Sequence, residues 1–321
     1  MDNRERLNSQ GSLFPCEPAS KEGRALLALF YFFRRSADQG SLSLCVERFR
    51  PLETVFETRG GDLKKFFCEH GQIGGYVASA FIANQDYRRR AFEYADNQVR
   101  LLTGRATGAL LVKTDPLFPS ELSRSRFPVN WIFCHHAPLR SFPRPRVAVV
   151  GSRHSSPKQL ELAKSIAQIV ADNGGTVITG LASGADSAAY SAVRGTTHAF
   201  VGVLGSGIRR MYPAEHKRLL DELTRSRGVA VTEVPPEIGG NAISFIQRNR
   251  IIAALADLVV TVSGGYNSGT AHTVRFAADA EVPVVSADPD ENSGIGQLVL
   301  ELGGRRVPAS DLPELIRSLG K

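Results

Sequence analysis

Cysteine is scarce in this sequence, and the spacing that binds metals or performs redox chemistry is missing. Cys16, Cys45, Cys68 and Cys134 form no CxxC pair, which argues against a zinc ribbon or a redox motif. The first residues are polar and lack the apolar core of a signal peptide, and no later segment is apolar over the length of a membrane span. These absences predict a soluble, cytoplasmic protein with reduced thiols.

Familiar catalytic and nucleotide-binding motifs are also missing. The sequence has no HExxH motif, no GxSxG motif and no GxxxxGK[ST] loop. After Gly151 the next glycine is Gly174, so the loop at Gly151 does not have the spacing of a dinucleotide fingerprint. P-loop hydrolysis of ATP and binding of NAD are therefore disfavoured, and we predict a binding protein without a cofactor or metal rather than an enzyme.

Basic residues exceed acidic ones. The chain has 39 Lys plus Arg against 32 Asp plus Glu, which gives a formal net charge of +7 and a sequence pI near 9.4. The hydrophobic content of 42% and the charged content of 22% are typical of a globular protein. The excess of cations supports the hypothesis that this protein has a polyanionic partner.

Three segments differ in pattern. Residues 1–21 are polar and contain two prolines, which predicts a loose tail. Residues 22–105 show helical periodicity, with expected helices from Glu22 and over 45–56, 62–69 and 76–98. Residues 106–321 form the third segment, where short apolar runs alternate with helical patterns.

The third segment predicts an α/β fold. Its expected strands are at 147–150, 176–179, 199–204, 229–232, 258–262 and 282–286. Its expected helices are near 158–173, 185–194, 214–225, 248–256 and 270–280, with one or two more after Gly294. Apolar strands that are buried on both faces are typical of parallel sheets. We therefore predict an extended Rossmann-like, mainly parallel sheet covered by helices, with a small N-terminal helical domain.

Loops at the expected carboxyl ends of three strands are rich in glycine and hydroxyl groups. Such loops let main-chain amides approach a phosphate, although a tight turn after a strand also favours glycine. The candidate phosphate-binding residues are Gly151, Ser152, Arg153 and Ser155 after the first strand, Gly180 and Gly184 after the second, and Gly205, Ser206 and Gly207 after the third.

Two later segments add donors. In the first, Arg248, Asn249 and Arg250 follow Phe245 at the expected start of an apolar helix, where anions are favoured. The alternative is structural, with the arginines paired to Glu233 or Asp257. In the second, Ser268, Gly269 and Thr270 open the next helix, where they can cap the helix or donate to a ligand.

From about residue 114 onwards the sequence resembles the DNA-processing protein A family (DprA, also called Smf). The matching segments occur in the order of the family's motifs, at 118–122 with 127–128, 147–153, 180–186, 203–207 with 211–213, 232–236 and 248–253. The resemblance implies a Rossmann-like domain that binds single-stranded DNA, forms a homodimer and helps to load the RecA recombinase during DNA uptake and recombination. It also implies that Gly151, Ser152, Arg153, Arg248 and Arg250 contact the DNA backbone, with Phe245 and Asn249 shaping the adjacent pocket.

Two other functions stay open. The turn at 264–270 is similar to a loop of cytokinin-activating phosphoribohydrolases, which suggests a nucleotide-binding sensor or a nucleotide-processing enzyme. Thr273 stands where that loop has its glutamate, which argues against the same hydrolysis. A structural adaptor that acts through the helical domain is the third hypothesis.

Overall fold

The computed structural model describes residues 19–33, 39–102, 108–127, 129–135, 142–212, 222–223 and 227–319. Most of the predicted tail and most of the helix expected at 214–225 lie outside these residues. The chain divides into two compact units, one ending at Asp115 and the other continuing from Pro116 to the C-terminus. No helix in the described residues combines the length and apolar character needed to span a bilayer.

The unit that ends at Asp115 is mainly helical. Its core contains Leu26, Phe33, Leu63 and Phe67, none of which is more than 1% exposed. Leu110 of its strand forms a parallel bridge with Ala19. The elements are α1 (Lys21–Phe33), α2 (Gln39–Arg48), α3 (Thr54–Glu57), α4 (Gly60–Glu69), α5 (Ile73–Ala83), α6 (Gln85–Leu102) and β1 (Gly108–Val112).

Two of the predicted helices in this unit are wrong in extent. The helix expected at 45–56 is divided into α2 and α3, because Pro51 lacks the amide hydrogen that helix continuation requires. The helix expected at 76–98 is divided into α5 and α6 at Asn84. The Asn84 side chain accepts hydrogen bonds from the amides of Asp86 and Tyr87, at 3.0 and 3.2 Å, and so starts a new helix.

The second unit has the predicted α/β fold. Its strands β2 to β9 lie in the order β2-β6-β5-β4-β3-β7-β8-β9; β2 pairs antiparallel with β6, and the other pairs are parallel. The strands are β2 (Trp131–His135), β3 (Arg146–Val150), β4 (Thr176–Thr179), β5 (Ala199–Val203), β6 (Gly228–Thr232), β7 (Leu258–Thr261), β8 (Val284–Ser286) and β9 (Arg305–Arg306).

The helices of this unit follow the strands, and α7 to α11 pack against the sheet. They are α7 (Pro157–Asp172), α8 (Ala185–Val193), α9 (Ala242–Leu255), α10 (Gly269–Asp279), α11 (Gly294–Glu301) and α12 (Leu312–Ser318), with short 3-10 helices at Ser120–Ser123 and Ala309–Asp311. The mainly parallel Rossmann-like fold is thus confirmed, although the sequence reasoning did not predict strands β2 and β9.

One error in the predicted helices affects the site. Helix α9 begins at Ala242 and not near residue 248, because Asn241 and Ser244 form a capping box. The Asn241 side chain accepts from the Ser244 amide at 2.9 Å, and the Ser244 hydroxyl accepts from the Asn241 amide at 2.8 Å. Arg248 and Arg250 therefore lie in the middle of α9. The prediction that they stand at a helix N-terminus, where anions are favoured, is wrong.

Candidate nucleic-acid interface

A cavity of about 720 Å³ opens at the carboxyl edge of the sheet in the second unit. It lies at the carboxyl end of β3, which pairs with β4 on one side and with β7 on the other. The strand order reverses at β3, so this is the topological switch point of the sheet. Of the predicted residues, those that line it are Gly151, Ser152, Arg153, Phe245, Arg248, Asn249, Ser268, Gly269 and Thr270. A recess of about 70 Å³ is lined by Gly180, Gly205 and again by Arg153, Phe245 and Arg248.

The hydroxyl groups of the buried Ser263 and the half-buried Ser155 hold the loop after β3 in place. The Ser263 hydroxyl, at the end of β7, accepts a hydrogen bond from the Ser152 amide at 2.8 Å. Ser155 donates to the Ser152 carbonyl at 2.8 Å, and its hydroxyl lies 2.7 Å from that of Ser263. Ser155 thus shapes the loop and does not line the cavity, and Ser263 is a structural residue that the sequence reasoning missed.

Arg248 is a buried cation in the wall of the cavity. Its Nη1 donates to the main-chain carbonyls of Gly180 and Val203, which end β4 and β5, and its Nε donates to Asn249 Oδ1 at 3.0 Å. Burial lowers the pKa of Arg248 to about 10; the charge of Asp186 opposes this, and that of Arg153 reinforces it. The guanidinium stays charged at neutral pH, and it has no ion pair among the described residues.

Asp186 does not neutralise this site by a direct contact with Arg248. Its carboxylate accepts from the amides of Gly180 and Ala182, at 2.9 and 3.4 Å. Burial raises the pKa of Asp186, against the opposing effects of Arg248 and of the main-chain donors. Arg153 is exposed on the same cavity, so two guanidinium groups converge on a space that an anion would fill.

Two glycines allow the chain to pack closely beneath these groups. At Gly180 a Cβ atom would collide with the guanidinium of Arg248. Gly184 has a φ of +85°, and a Cβ there would lie 2.7 Å from the carbonyl oxygen of Arg153. Both glycines therefore support the geometry of the loops, and Gly184 does so without lining the cavity.

The turn before α10 forms the opposite wall. Ser268 caps the helix, since its side chain accepts from the Ala271 amide at 3.4 Å. Asn249 Nδ2 donates to the Gly269 carbonyl at 3.1 Å, which fixes this turn relative to Arg248. The buried Thr270 hydroxyl has no hydrogen-bond partner among the described residues. The residues of this turn therefore both cap α10 and line the cavity.

Three predicted site residues lie elsewhere. Arg250 is buried in a two-point ion pair with Glu233, at 2.5 and 2.7 Å, which is the structural alternative that the sequence left open. The Gly207 amide donates to the Ile238 carbonyl at 2.8 Å, so this glycine supports a loop. Ser206 is 1% exposed and lines neither the cavity nor the recess. The geometry does not support phosphate contacts by these three residues.

Apolar and aromatic groups line one side of the cavity, and of these the sequence analysis assigned Phe245 to the site but not Tyr212 or Ile246. Tyr212 is 60% exposed, and its ring centroid lies 5.7 Å from that of Phe245 at an interplanar angle of 54°. Ile246 is 39% exposed and also lines the cavity. Tyr212 follows the strand-end loop without any periodicity, and the signals that could have drawn attention to it are its aromatic ring and its place in the family-matching segment 211–213.

The described residues contain no group of three His, Cys, Asp or Glu side chains that could hold a metal ion. The polar groups that line the cavity are mainly guanidinium, amide and hydroxyl groups, together with the imidazoles of His154 and His272 and the carboxyl group of Asp186. This set of donors can bind a phosphate or another anion.

Replacing Arg248 with alanine is expected to lower the free energy of unfolding by about 2–3 kcal/mol, because the Gly180 and Val203 carbonyls lose their charged donor. Urea unfolding followed by circular dichroism measures the loss. Arg317→Ala, which removes an exposed arginine of α12, serves as the control. Equal stability of the two variants would contradict a structural role for Arg248.

Comparisons with known proteins identify the family. Residues 109–301 match the DNA recombination-mediator protein A family, whose description is that of a mediator and not of an enzyme. The chain is 30% identical over 268 residues to the putative DNA processing protein DprA of Mycobacterium tuberculosis, covering 78% of this chain and 67% of that protein. It is 31% identical over 182 residues to Protein Smf of Synechocystis sp., covering 55% of this chain but only 44% of that protein.

Two solved structures share the fold. The DNA processing protein A of Streptococcus pneumoniae aligns with a TM-score of 0.60 at 22% identity, covering 80% of this chain and 93% of that one. The Helicobacter pylori protein, which has a unique single-stranded DNA binding mode, aligns with a TM-score of 0.58 at 19% identity, covering 67% of this chain and 97% of that one. The sequence match and the shared fold agree, and the chain belongs to the DNA recombination-mediator protein A family.

Proposed function

We propose that this chain binds single-stranded DNA at the carboxyl edge of its sheet, without catalysing a reaction. The observation that carries the proposal is the convergence of Arg153 and Arg248 on one cavity that Gly151 and Ser152 also line. Guanidinium groups and main-chain amides bind phosphate oxygens without reading base sequence. A backbone phosphate in this cavity would also give the buried Arg248 a direct anionic partner, in addition to the charge of Asp186 nearby.

Fluorescence anisotropy with a labelled oligonucleotide tests this function. Binding at micromolar protein is expected to weaken with added salt, with a slope of log K against log salt of about −0.7 for each phosphate contacted. Absence of salt-dependent binding at micromolar protein would contradict the proposal. Double-stranded DNA of the same sequence serves as the competitor that tests the preference for single strands.

The wider role that we propose rests on the family. The protein would act in the cytoplasm as a recombination mediator during DNA uptake and processing, as a homodimer, with a RecA-type recombinase as partner. The H. pylori relative is described by its single-stranded DNA binding mode, which supports the same class of ligand here. Stimulation of recombinase loading on coated single strands is the assay for this role.

A mononucleotide is the second candidate ligand. The cavity volume of about 720 Å³ lies within the range of small-molecule sites, roughly 300–1,000 Å³. Nucleoside monophosphates are added as competitors of the labelled oligonucleotide, and chromatography detects any released base. Together these two measurements distinguish a DNA-binding function from a nucleotide-binding one. Displacement at micromolar mononucleotide would favour a sensor, and release of free base would favour an enzyme.

The Tyr212 and Phe245 rings predict where a base lies. Stacking of a base on an aromatic ring contributes about 1–3 kcal/mol, so Tyr212→Ala is expected to weaken oligonucleotide binding by roughly 5- to 150-fold. Tyr212→Phe retains the ring and is the matched control, with affinity expected near that of the unmodified protein. The measurement is repeated with an oligonucleotide that lacks its bases, for which both variants should bind alike. Wild-type affinity of Tyr212→Ala for the normal strand would exclude this stacking.

A further inference from the structure

A second cavity, of about 450 Å³, lies at the carboxyl ends of β8 and β9, and we call it the β8 cavity. None of the residues that line it also lines the candidate DNA site. Its walls come from the segments that end β8 and β9 and from α7, and they include Lys158, Leu162, Ser286, Asp288, Glu291 and Arg306. The β8 cavity is therefore a separate place for a ligand.

Two buried polar groups that line this cavity lack hydrogen-bond partners. Asp288 is 7% exposed and Ser286 is 2% exposed. The Oδ2 atom of Asp288 and the hydroxyl of Ser286 have no partner among the described residues. Buried polar groups are nearly always hydrogen-bonded, and leaving one without a partner costs free energy. Both groups are therefore suited to a ligand that donates hydrogen bonds.

The carboxylate of Asp288 is held in one orientation. Its Oδ1 atom accepts from Gln159 Nε2 at 3.0 Å and from the Asp290 amide at 3.1 Å. Gln159 itself belongs to the capping box that starts α7, so its own position is fixed. Because Oδ1 is anchored in this way, Oδ2 keeps a defined position as the acceptor without a donor.

The strand register brings a cation to the same cavity. Ser286 pairs with Arg306 across β8 and β9, so the side chains of these two residues extend from the same face of the sheet. Arg306 Nη1 donates to the Asp290 carbonyl at 3.2 Å, and a Cβ atom at Gly296 would collide with this guanidinium, which is thus packed in place. Lys158 of α7 is exposed and supplies a second cation.

The charges of the cavity favour an anion that carries hydroxyl groups over a metal ion. Neither Lys158 nor Arg306 forms an ion pair with another of the described residues. Glu291 also lines the cavity, but it is exposed to solvent. Two cations at one site repel a metal ion, whereas ammonium and guanidinium groups bind phosphate oxygens. The complement of this cavity is a molecule with hydroxyl donors at one end and a phosphate at the other.

We propose that the β8 cavity binds a ribonucleoside monophosphate. The two sugar hydroxyls donate to Asp288 Oδ2 and to the Ser286 hydroxyl, and the phosphate binds Lys158 and Arg306. In Rossmann-like folds an acidic residue commonly accepts a hydrogen bond from a ribose hydroxyl, and Asp288 comes two residues after β8 ends. The volume of about 450 Å³ lies within the range of small-molecule sites, roughly 300–1,000 Å³. This site goes beyond the proposed DNA binding and does not depend on it.

Isothermal titration of the full chain with AMP tests the proposal. Asp288→Asn keeps the shape of the side chain and removes its charge. The loss of a hydrogen bond to a charged group should weaken AMP binding by about tenfold or more. Asp279→Asn, at the exposed end of α10, is the matched control and should bind AMP like the wild type. The dideoxy analogue of AMP, which lacks both sugar hydroxyls, should bind the wild type and Asp288→Asn alike.

The phosphate end of the site is tested on α7. Lys158→Gln should weaken AMP binding by about tenfold and leave the binding of adenosine, which has no phosphate, unchanged. Lys164→Gln is the matched control, because Lys164 is exposed on the same helix and does not line the cavity. Thermal unfolding verifies that all variants are folded. Lys158 is exposed, so this variant keeps the test decisive even where Asp288→Asn fails to fold.

The two cavities are expected to act independently. Arg153→Ala should bind AMP like the wild type, and Asp288→Asn should bind the labelled oligonucleotide like the wild type. Absence of AMP binding by the wild-type chain, or wild-type AMP affinity in Asp288→Asn or in Lys158→Gln, would overturn the proposal. AMP binding that is lost in Arg153→Ala but survives Asp288→Asn would also overturn it, in favour of a nucleotide in the DNA site. Failure of oligonucleotide binding alone would contradict only the proposed DNA function.

Discussion

Replacing Glu233 with alanine is expected to lower the free energy of unfolding by about 3–5 kcal/mol, the cost of leaving a buried charge without its partner. Glu233 and Arg250 are each 6% exposed and joined by two hydrogen bonds. Arginine cannot shed its proton in a protein, so the Arg250 guanidinium would stay charged and buried. Urea unfolding followed by circular dichroism measures the loss.

The control is an ion pair at the surface. Glu161→Ala removes the exposed partner of Lys164, whose ammonium lies 3.2 Å from the Glu161 carboxylate. Exposed pairs contribute about 0–1 kcal/mol, so this variant should unfold almost like the wild type. A similar small effect for Glu233→Ala would mean that the Glu233–Arg250 pair is not buried as described.

The opposite variant, Arg250→Ala, adds a dependence on pH. Burial raises the pKa of Glu233, and Arg250 opposes that rise. Without Arg250, the pKa of Glu233 rises further above its unfolded value. The folded state then holds its proton more tightly than the unfolded state, so stability is greatest at acid pH and falls as pH rises through the folded pKa. The free energy of unfolding of Arg250→Ala should be lower at about pH 8 than at about pH 5, whereas that of Glu233→Ala should not show this loss.

The sequence predicted the elements of the sheet better than the roles of its side chains. The β-branched run at 147–150 and the glycine that ends it predicted β3 and the loop that lines the cavity, because both depend on local preferences. Helix α9 began six residues earlier than predicted. The Asn241 and Ser244 pair that starts it was visible in the sequence, but the apolar run after Arg248 dominated the pattern.

Arg248, Asn249 and Arg250 show why the rest could not be predicted. Adjacent residues on a helix point about 100° apart, so one short motif directs its side chains to different neighbours. Arg248 faces the ends of β4 and β5, Asn249 faces the turn before α10, and Arg250 faces Glu233. Which arginine meets a ligand and which meets a carboxylate depends on contacts between residues far apart in the chain.

Arg153→Ala is expected to weaken single-stranded DNA binding by about 10- to 150-fold, because a charged hydrogen bond to a phosphate contributes about 1.5–3 kcal/mol. Arg153 is exposed on the cavity, and no described residue bonds its side chain, so stability should stay within about 0.5 kcal/mol of the wild type. Loss of one phosphate contact should also reduce the salt slope by about 0.7.

The most direct test of the DNA site compares two exposed arginines at opposite edges of the same sheet. Arg153 follows the carboxyl end of β3, whereas Arg227 precedes the amino end of β6. The measurement is the anisotropy of one labelled oligonucleotide titrated with Arg153→Ala and with Arg227→Ala under identical salt. We expect a loss of at least tenfold for Arg153→Ala and of less than about twofold for Arg227→Ala. Equal affinities of the two variants would contradict a phosphate-binding site at the carboxyl edge.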